Sequence, residues 1–585
     1  MEFQTKHFTF SWETDYTVGL HILQETDSFL KLKLSINFHE NCVPETVTIK
    51  WRIPCTDIFS QWNPSAWFDH CLMPDWLPVR SKSRSAAWAP VQTHLSLSGR
   101  NRSTVALKDV RTPLEICSGV YEEDACIHFR LNLFTQQISA ISEYETELII
   151  DTRDIPYEDA LNHVQNWWAE CGFPCAPVPE NARRPMYSTW YSWHQQLSPE
   201  ALLPELEEAK ALGMDTVIVD DGWQTDDNNR GYAYCGDWIP TAGKIPDMKA
   251  FVDAVHHLGM KYMMWYSVPF VGKHAAVWER FKDKFLNGTD RRWSILDPRY
   301  PEVREFLVSI YEKAVKDWGL DGLKLDFIDS FELSEQSHAP DASMDYASLE
   351  DGVCALLRET KTRLRAINPD ILIEFRQNYM GPIMRSYGNM IRVADCPDDA
   401  LKNRVGSIHL RLTSGRAAVH SDMLMWNSSE PVEAAALQFI NILFSVPQIS
   451  VVLKTLPAAH KAMLQFYLDF WNNNRACILD GTLSAKNPEA NYSLVYTRTD
   501  SELVAVAYSK NILDVDRDYQ KISFINGCWD AELFIRNHAE GYPVRITVYT
   551  CTGEVVSASD GTLAQGCNAF SVPRSGLLEI EALPS

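Results

Sequence analysis

Gly322-Leu323-Lys324-Leu325-Asp326-Phe327-Ile328-Asp329 begins as a short apolar run, ends in acids, and follows the helical stretch Pro301–Asp317. A strand of this length beside a helix is one half of a βα unit. The same unit recurs on both sides. Met186–Ser192 leads into a helix over Pro199–Leu212, and Thr216–Asp221 comes before a helix over Lys249–Leu258. Lys261–Val268 precedes a segment that is helical around Ala275–Phe285, and Ile371–Asn378 follows a helix over Tyr346–Ile367. Ile391–Asp395, Ala417–Met423 and Ile449–Lys454 complete a set of eight strands. Alternation of β and α implies a parallel sheet with crossover helices, and eight units in about 290 residues predict a (β/α)8 TIM barrel.

Outward from this core the period changes. Phe29, Leu30, Leu32, Leu34 and Ile36 alternate with Lys31, Lys33, Ser35 and Asn37, the period of two of a half-buried strand. Glu45–Ile53, Cys126–Leu133 and Tyr144–Asp151 repeat it, so residues 1–178 read as an N-terminal β-sandwich. The aromatic, Pro-punctuated stretch Trp62–Trp76 breaks the pattern and reads either as a loop reaching a ligand site or as an internal plug. Pro174, Pro177 and Pro179 mark a linker. Residues 179–474 carry the barrel, and 475–585 return to period two as a smaller C-terminal β-sandwich.

The chain of 585 residues carries 54 Lys and Arg against 77 Asp and Glu, a net charge of −23. That balance repels phosphate backbones and anionic lipid surfaces, which argues against nucleic-acid and membrane partners. The amino-terminal residues show no secretory pattern, and the longest apolar stretch, Phe439–Val452, is interrupted by Asn441, Pro447 and Gln448. The expectation is a cytoplasmic protein whose 14 cysteines are reduced. A homo-oligomer is left open. No nucleotide-binding loop or zinc-protease motif occurs, so neither a cofactor nor a metal is expected. Nineteen Trp, 22 Tyr and 25 Phe suit core packing and also the flat faces of sugars.

Barrel enzymes keep their chemistry at the C-terminal ends of the strands. Those tips are acidic here: Val217-Ile218-Val219-Asp220-Asp221-Gly222-Trp223, Lys324-Leu325-Asp326, Ile371-Leu372-Ile373-Glu374-Phe375-Arg376, and Ile391-Arg392-Val393-Ala394-Asp395. Carboxylates that directly follow buried apolar runs are costly unless they are paired or used.

In this order, Asp220-Asp221-Gly222-Trp223, Gly236-Asp237-Trp238, Lys324-Leu325-Asp326 and the Asp395 tip resemble the α-galactosidases of glycoside hydrolase family 36. The resemblance spans the barrel, and the flanking β domains match that family's three-part layout. It implies a retaining exo-α-glycosidase with Asp326 as nucleophile and Asp395 as acid/base, the latter opening an Asp-x-x-Asp stretch with Asp398. It further implies that Asp220 and Asp221 bind sugar hydroxyls and that Trp238 lies beside the sugar.

Elementary chemistry agrees with those roles. Lys324 and Asp326 lie two apart on a strand and point to one side, so the cation favours ionised Asp326. The acid must be neutral at rest, so the surroundings of Asp395 are expected to raise its proton affinity. Asp329, Asp398 and Asp399 are rivals for the catalytic roles. His420 and Asp422, and Trp190, Trp193 and His194 after the first strand, are candidates to line the pocket.

One departure concerns specificity. Where the family carries Cys and a glycine-rich run, this chain has Glu374-Phe375-Arg376-Gln377-Asn378-Tyr379-Met380-Gly381. Arg376 either neutralises surplus carboxylates or, with Arg392, meets an anionic sugar substituent. The substrate class is therefore a glycoside or oligosaccharide, foremost an α-galactoside. Transfer to a sugar acceptor, as in raffinose synthase relatives, would use the same residues. Two other classes stay open: a metal-dependent barrel enzyme using Asp220, Asp326, Glu374 and Asp395, and a sugar-binding protein without turnover.

Overall fold

A computed structural model describes residues 1–584. Its centre is an eight-stranded parallel sheet. In chain order the strands are β1 (Met186–Ser188), β2 (Thr216–Val219), β3 (Lys261–Ser267), β4 (Gly322–Asp326), β5 (Leu372–Arg376), β6 (Met390–Arg392), β7 (Ala418–His420) and β8 (Gln448–Ile449). Neighbours pair in sequence from β1 to β7, and β8 pairs with β1. Val446 closes the remaining gap: its N–H donates to Val419 O at 2.8 Å and its carbonyl accepts from Ser421 N–H at 3.0 Å. The expected TIM barrel is therefore present; seven strands lie where the sequence placed them, while the eighth, expected over Ile449–Lys454, is Gln448–Ile449, with Leu453–Thr455 a 3₁₀ turn.

The helices start where capping residues permit. Ser198, Asp247, Ser348 and Asp399 each accept a backbone N–H three residues on, at Ala201, Ala250, Asp351 and Lys402. Between β3 and β4 the helix around Ala275–Phe285 shrinks to Trp278–Phe281 and a 3₁₀ turn, Lys282–Lys284. A hairpin pairing Phe270–Gly272 with Trp293–Ile295 flanks it, and Pro301–Lys313 makes the crossover.

Side chains alternate in and out along each strand, so the interior is layered. The lowest layer is apolar: Met186, Ile218, Met263, Leu372, Met390 and Ala418 pack together under Ala182. Gly322 belongs there because a Cβ would lie 2.6 Å from Leu372 Cβ and 2.8 Å from Met263 Cγ. Two residues further up, Asp220, Trp265, Lys324, Glu374, Arg392, His420 and Gln448 form a polar layer that is almost wholly buried. Above it the strand ends open to the mouth.

Two antiparallel sheets of seven and six strands make up the N-terminal sandwich, over a core that includes Leu30, Leu32, Leu34, Ile36, Trp51 and Phe129. Sheets of seven and three strands form the smaller C-terminal sandwich. The helix Tyr157–Glu170 carries the chain from the first sandwich to the barrel, and Ala458–Asp480 carries it from the barrel to the second. Trp62 joins all three parts: its ring lies 5.4 Å from His409 and its indole N–H donates to Tyr492 at 2.8 Å. Among the described residues, no helix is long and apolar enough to cross a membrane.

Candidate active site

Asp326 ends β4 with its side chain only 9% exposed. Its Oδ1 accepts from Arg376 Nε at 2.7 Å, the Tyr379 hydroxyl at 2.8 Å and Phe327 N–H at 2.9 Å. Its Oδ2 accepts from the Trp265 indole N–H at 2.9 Å. Burial alone would push the carboxyl up, but Arg376 and Lys324 outweigh it and hold Asp326 well below the usual carboxylate range.

Asp395 lies just past β6, and its side chain is 50% exposed. One donor holds it, Arg392 Nη2 to Oδ1 at 2.9 Å. Burial pushes it up, yet the Arg392 and Lys324 cations prevail and the net direction is down. This is opposite to the expectation for a resting acid. The cause is Arg392, fully buried with Asp395, Glu374 and Asp422 around it. The charges of Lys324, Asp326 and Arg376 also act on Asp395, so the β4, β5 and β6 tips share one site.

Strand β2 supplies the third wall. Asp220 Oδ2 pairs with Lys324 Nζ at 2.5 Å, and its Oδ1 accepts Asp221 N–H at 2.9 Å. Asp221 accepts from the side-chain amides of Gln195 and Gln224, each at 2.7 Å. Burial, with Asp220 beside it, raises Asp221 to about 6. Lys324 thus pairs directly with Asp220, while its charge also acts on Asp326.

The aromatic candidates are spread differently. Trp190 is half-buried at the mouth, its ring 5.1 Å from His194 and 5.9 Å from the Arg230 guanidinium. Trp238, 4% exposed, packs behind Trp265 with ring centres 5.9 Å apart, and against Trp223 and Tyr266. Trp193 donates to Tyr187 at 3.0 Å. His420 and Asp422 are fully buried beneath the mouth; Asp422 accepts from Tyr191 at 2.8 Å and Cys396 N–H at 2.6 Å.

The rival acids have other partners. Asp399 caps the helix Ala400–Thr413, and Asp398 accepts from Gln438 at 3.0 Å. Asp329 stays close enough to Asp326 and Arg376 to feel both charges, and burial raises it.

Sequence reasoning missed Trp265, Tyr379, Gln195 and Gln224, all of which donate to the site's carboxylates. It also missed what the N-terminal sandwich does. Arg84 donates to Asp329 O at 2.5 Å and Phe331 O at 3.0 Å, on the loop after β4. Trp88 N–H donates to Asn378 O at 2.9 Å after β5, and Trp67 packs against the cluster that includes Ile391, Val393 and Cys396, on and just after β6. The Trp62–Trp76 stretch is therefore a bridge: Trp62 is buried at the junction and Trp67 reaches the rim. A left-handed backbone at Trp67, Trp88, His194, Arg230, Trp238 and Phe327 (φ 46–65°) adds a signal that sequence does not carry. Such strain persists where the surrounding structure over-determines it, typically at functional sites.

Residues 179–374, which hold β1 to β4, the first part of β5 and the acids at 220, 221 and 326, match the model of the melibiase family. This stretch, about a third of the chain, is what the melibiase model matches. Among curated relatives, α-galactosidase 2 of Pediococcus pentosaceus is 25% identical over 194 residues, covering 32% of this chain and 27% of that protein. α-Galactosidase Mel36A of Lactobacillus acidophilus is 26% identical over 158 residues, 26% of this chain and 20% of the relative. The matched stretch thus spans about a quarter of these relatives' length. The solved α-galactosidase of Lactobacillus brevis superposes with a TM-score of 0.64 at 14% identity, covering 99% of this chain and 86% of that one. The family 36 α-galactosidase AgaA of Geobacillus stearothermophilus, solved with stachyose, gives 0.65 at 12% identity, covering 98% and 81%. At these identities the likeness is one of fold, and it takes in the barrel with both sandwiches.

Proposed function

We propose that this protein is a retaining exo-α-glycosidase that hydrolyses terminal α-galactosides through a covalent glycosyl-enzyme. One observation carries the reading: Asp326 is buried, hydrogen-bonded on both oxygens, and held well below the usual carboxylate range by Arg376 and Lys324, as a nucleophile must be. Asp395 is the acid/base. Its half-exposed side chain loses solvent when a sugar fills the mouth, and burial is already the largest effect raising it. Loss of that solvent raises the proton affinity of Asp395, as its role requires. Asp220 and Asp221, as acceptors, take hydroxyl protons of the terminal sugar, with Lys324 beside Asp220. Trp190 and Trp238 serve as an aromatic rim and its support. Three solved neighbours carry stachyose or raffinose, which supports an oligosaccharide as substrate here.

Arg376 neutralises Asp326 through Nε, so most of its charge is committed within the protein. This favours an uncharged sugar over an anionic one. The test is turnover of 4-nitrophenyl α-D-galactopyranoside, with ¹H NMR of the first anomer released. Release of the α anomer is expected. Release of the β anomer, or undiminished activity in Asp326→Ala, would sink the assignment. Product analysis with added sucrose separates hydrolysis from transfer.

A further inference from the structure

Asp326 has two oxygens in unequal surroundings. Oδ1 takes three donors, from Arg376, Tyr379 and its own neighbour Phe327, while Oδ2 takes one, from Trp265. Tyr379 is 1% exposed, and its hydroxyl lies 2.8 Å from Oδ1 against 3.2 Å from Leu325 O, so the carboxylate takes the proton. The Arg376 guanidinium packs 5.5 Å from the Tyr379 ring and 5.3 Å from Phe327, which holds it in place. Hydrogen bonds to a charged group are the strong ones, and here they gather on one oxygen.

We propose that Tyr379, with Arg376, is a positioning residue that leaves Oδ2 as the attacking oxygen and speeds release of the sugar from Asp326. The inference rests on the glycosidase reading above. In the first step Oδ2 bonds to the anomeric carbon, the glycosidic C–O bond breaks, and its electron pair leaves on the aglycone oxygen, which takes the proton of Asp395. Asp326 loses its negative charge in that step, so donors on Oδ1 oppose it. In the second step a water oxygen bonds to the anomeric carbon, its proton passes to Asp395, and the C–Oδ2 bond breaks with the pair returning to Asp326. Asp326 regains its charge, so the same donors assist. The Tyr379 hydroxyl therefore trades a slower attack for a faster release.

Tyr379→Phe removes one donor and nothing else of the side chain. With 4-nitrophenyl α-D-galactopyranoside, kcat should fall about tenfold and KM by a similar factor, leaving kcat/KM within about threefold of wild type. Stopped-flow traces of the variant should show a burst of nitrophenolate before the steady state. Arg376→Lys, which keeps the charge but loses Nε, should move the same way. A variant in which kcat falls at constant KM, with no burst, overturns the role of Tyr379 while leaving the glycosidase reading intact. A wild-type chain that turns over no glycoside overturns both.

Discussion

The two sides of the pocket are built on different terms. On the side of β2 to β5, Asp220, Asp221 and Asp326 are buried, and each carboxylate is held by at least two donors supplied within the barrel. On the side of β6, Asp395 is half exposed and has one donor, and Trp67 of the N-terminal sandwich packs on the apolar cluster that includes its neighbour Cys396. The closed side is finished before substrate binds. On the reading proposed above, a bound sugar completes the open side. A nucleophile needs a fixed charge and a fixed direction, whereas an acid/base group must exchange a proton with whatever enters and leaves.

The largest effect should come from the closed side. Asp326→Ala should lower turnover by more than about 10⁴-fold with every leaving group, measured across a series of aryl and alkyl α-galactosides. Asp395→Ala should behave differently, losing about 10²–10⁴-fold on melibiose and far less on a 4-nitrophenyl glycoside, whose leaving group needs no proton. Equal losses on both substrates would erase the distinction between the two sides.

Asp221 probes what the closed side costs in stability. Its folded value near 6 lies above the 3.8 of an ordinary Asp, so the folded state holds the proton more tightly. The cost is absent below pH 3.8, grows as pH rises, and is complete above about 6. About two pH units at 1.4 kcal/mol each make it about 3 kcal/mol. Asp221→Asn should therefore unfold later than wild type at pH 7 and match it near pH 4, in paired thermal melts. A constant gap across that range would remove the carboxyl from the account. The smallest effect belongs to the sandwich: Arg84→Met frees the loop after β4 and should change KM by less than about tenfold, since its Glu332 partner is exposed.

Much of this was legible in the chain. Each barrel strand stood out because its apolar run is short and lies beside a helix, and the acids at 220, 221, 326 and 395 stood out because they close such runs. Arg376 was visible as a departure, with both its roles open. The donors were not legible. Trp265 reads as one more apolar residue of β3, and Tyr379 as a loop aromatic. Gln195 and Gln224 carry no pattern at all. The direction at Asp395 was misread because Arg392, three residues earlier, looks like a strand residue until the barrel turns it inward beneath the acid.

The sequence by itself determined the order of strands and helices and which acids stand at the strand ends, because periodicity and local charge are properties of neighbours along a chain. The tertiary structure alone decided which oxygen of Asp326 takes three donors and which takes one, which way each carboxyl titrates, and that a distant sandwich braces the loops after the strands. Those depend on distances of a few ångströms between residues up to a few hundred positions apart, such as Arg84 and Asp329. Hydrogen bonding and charge act through space, and only the fold says who is near whom.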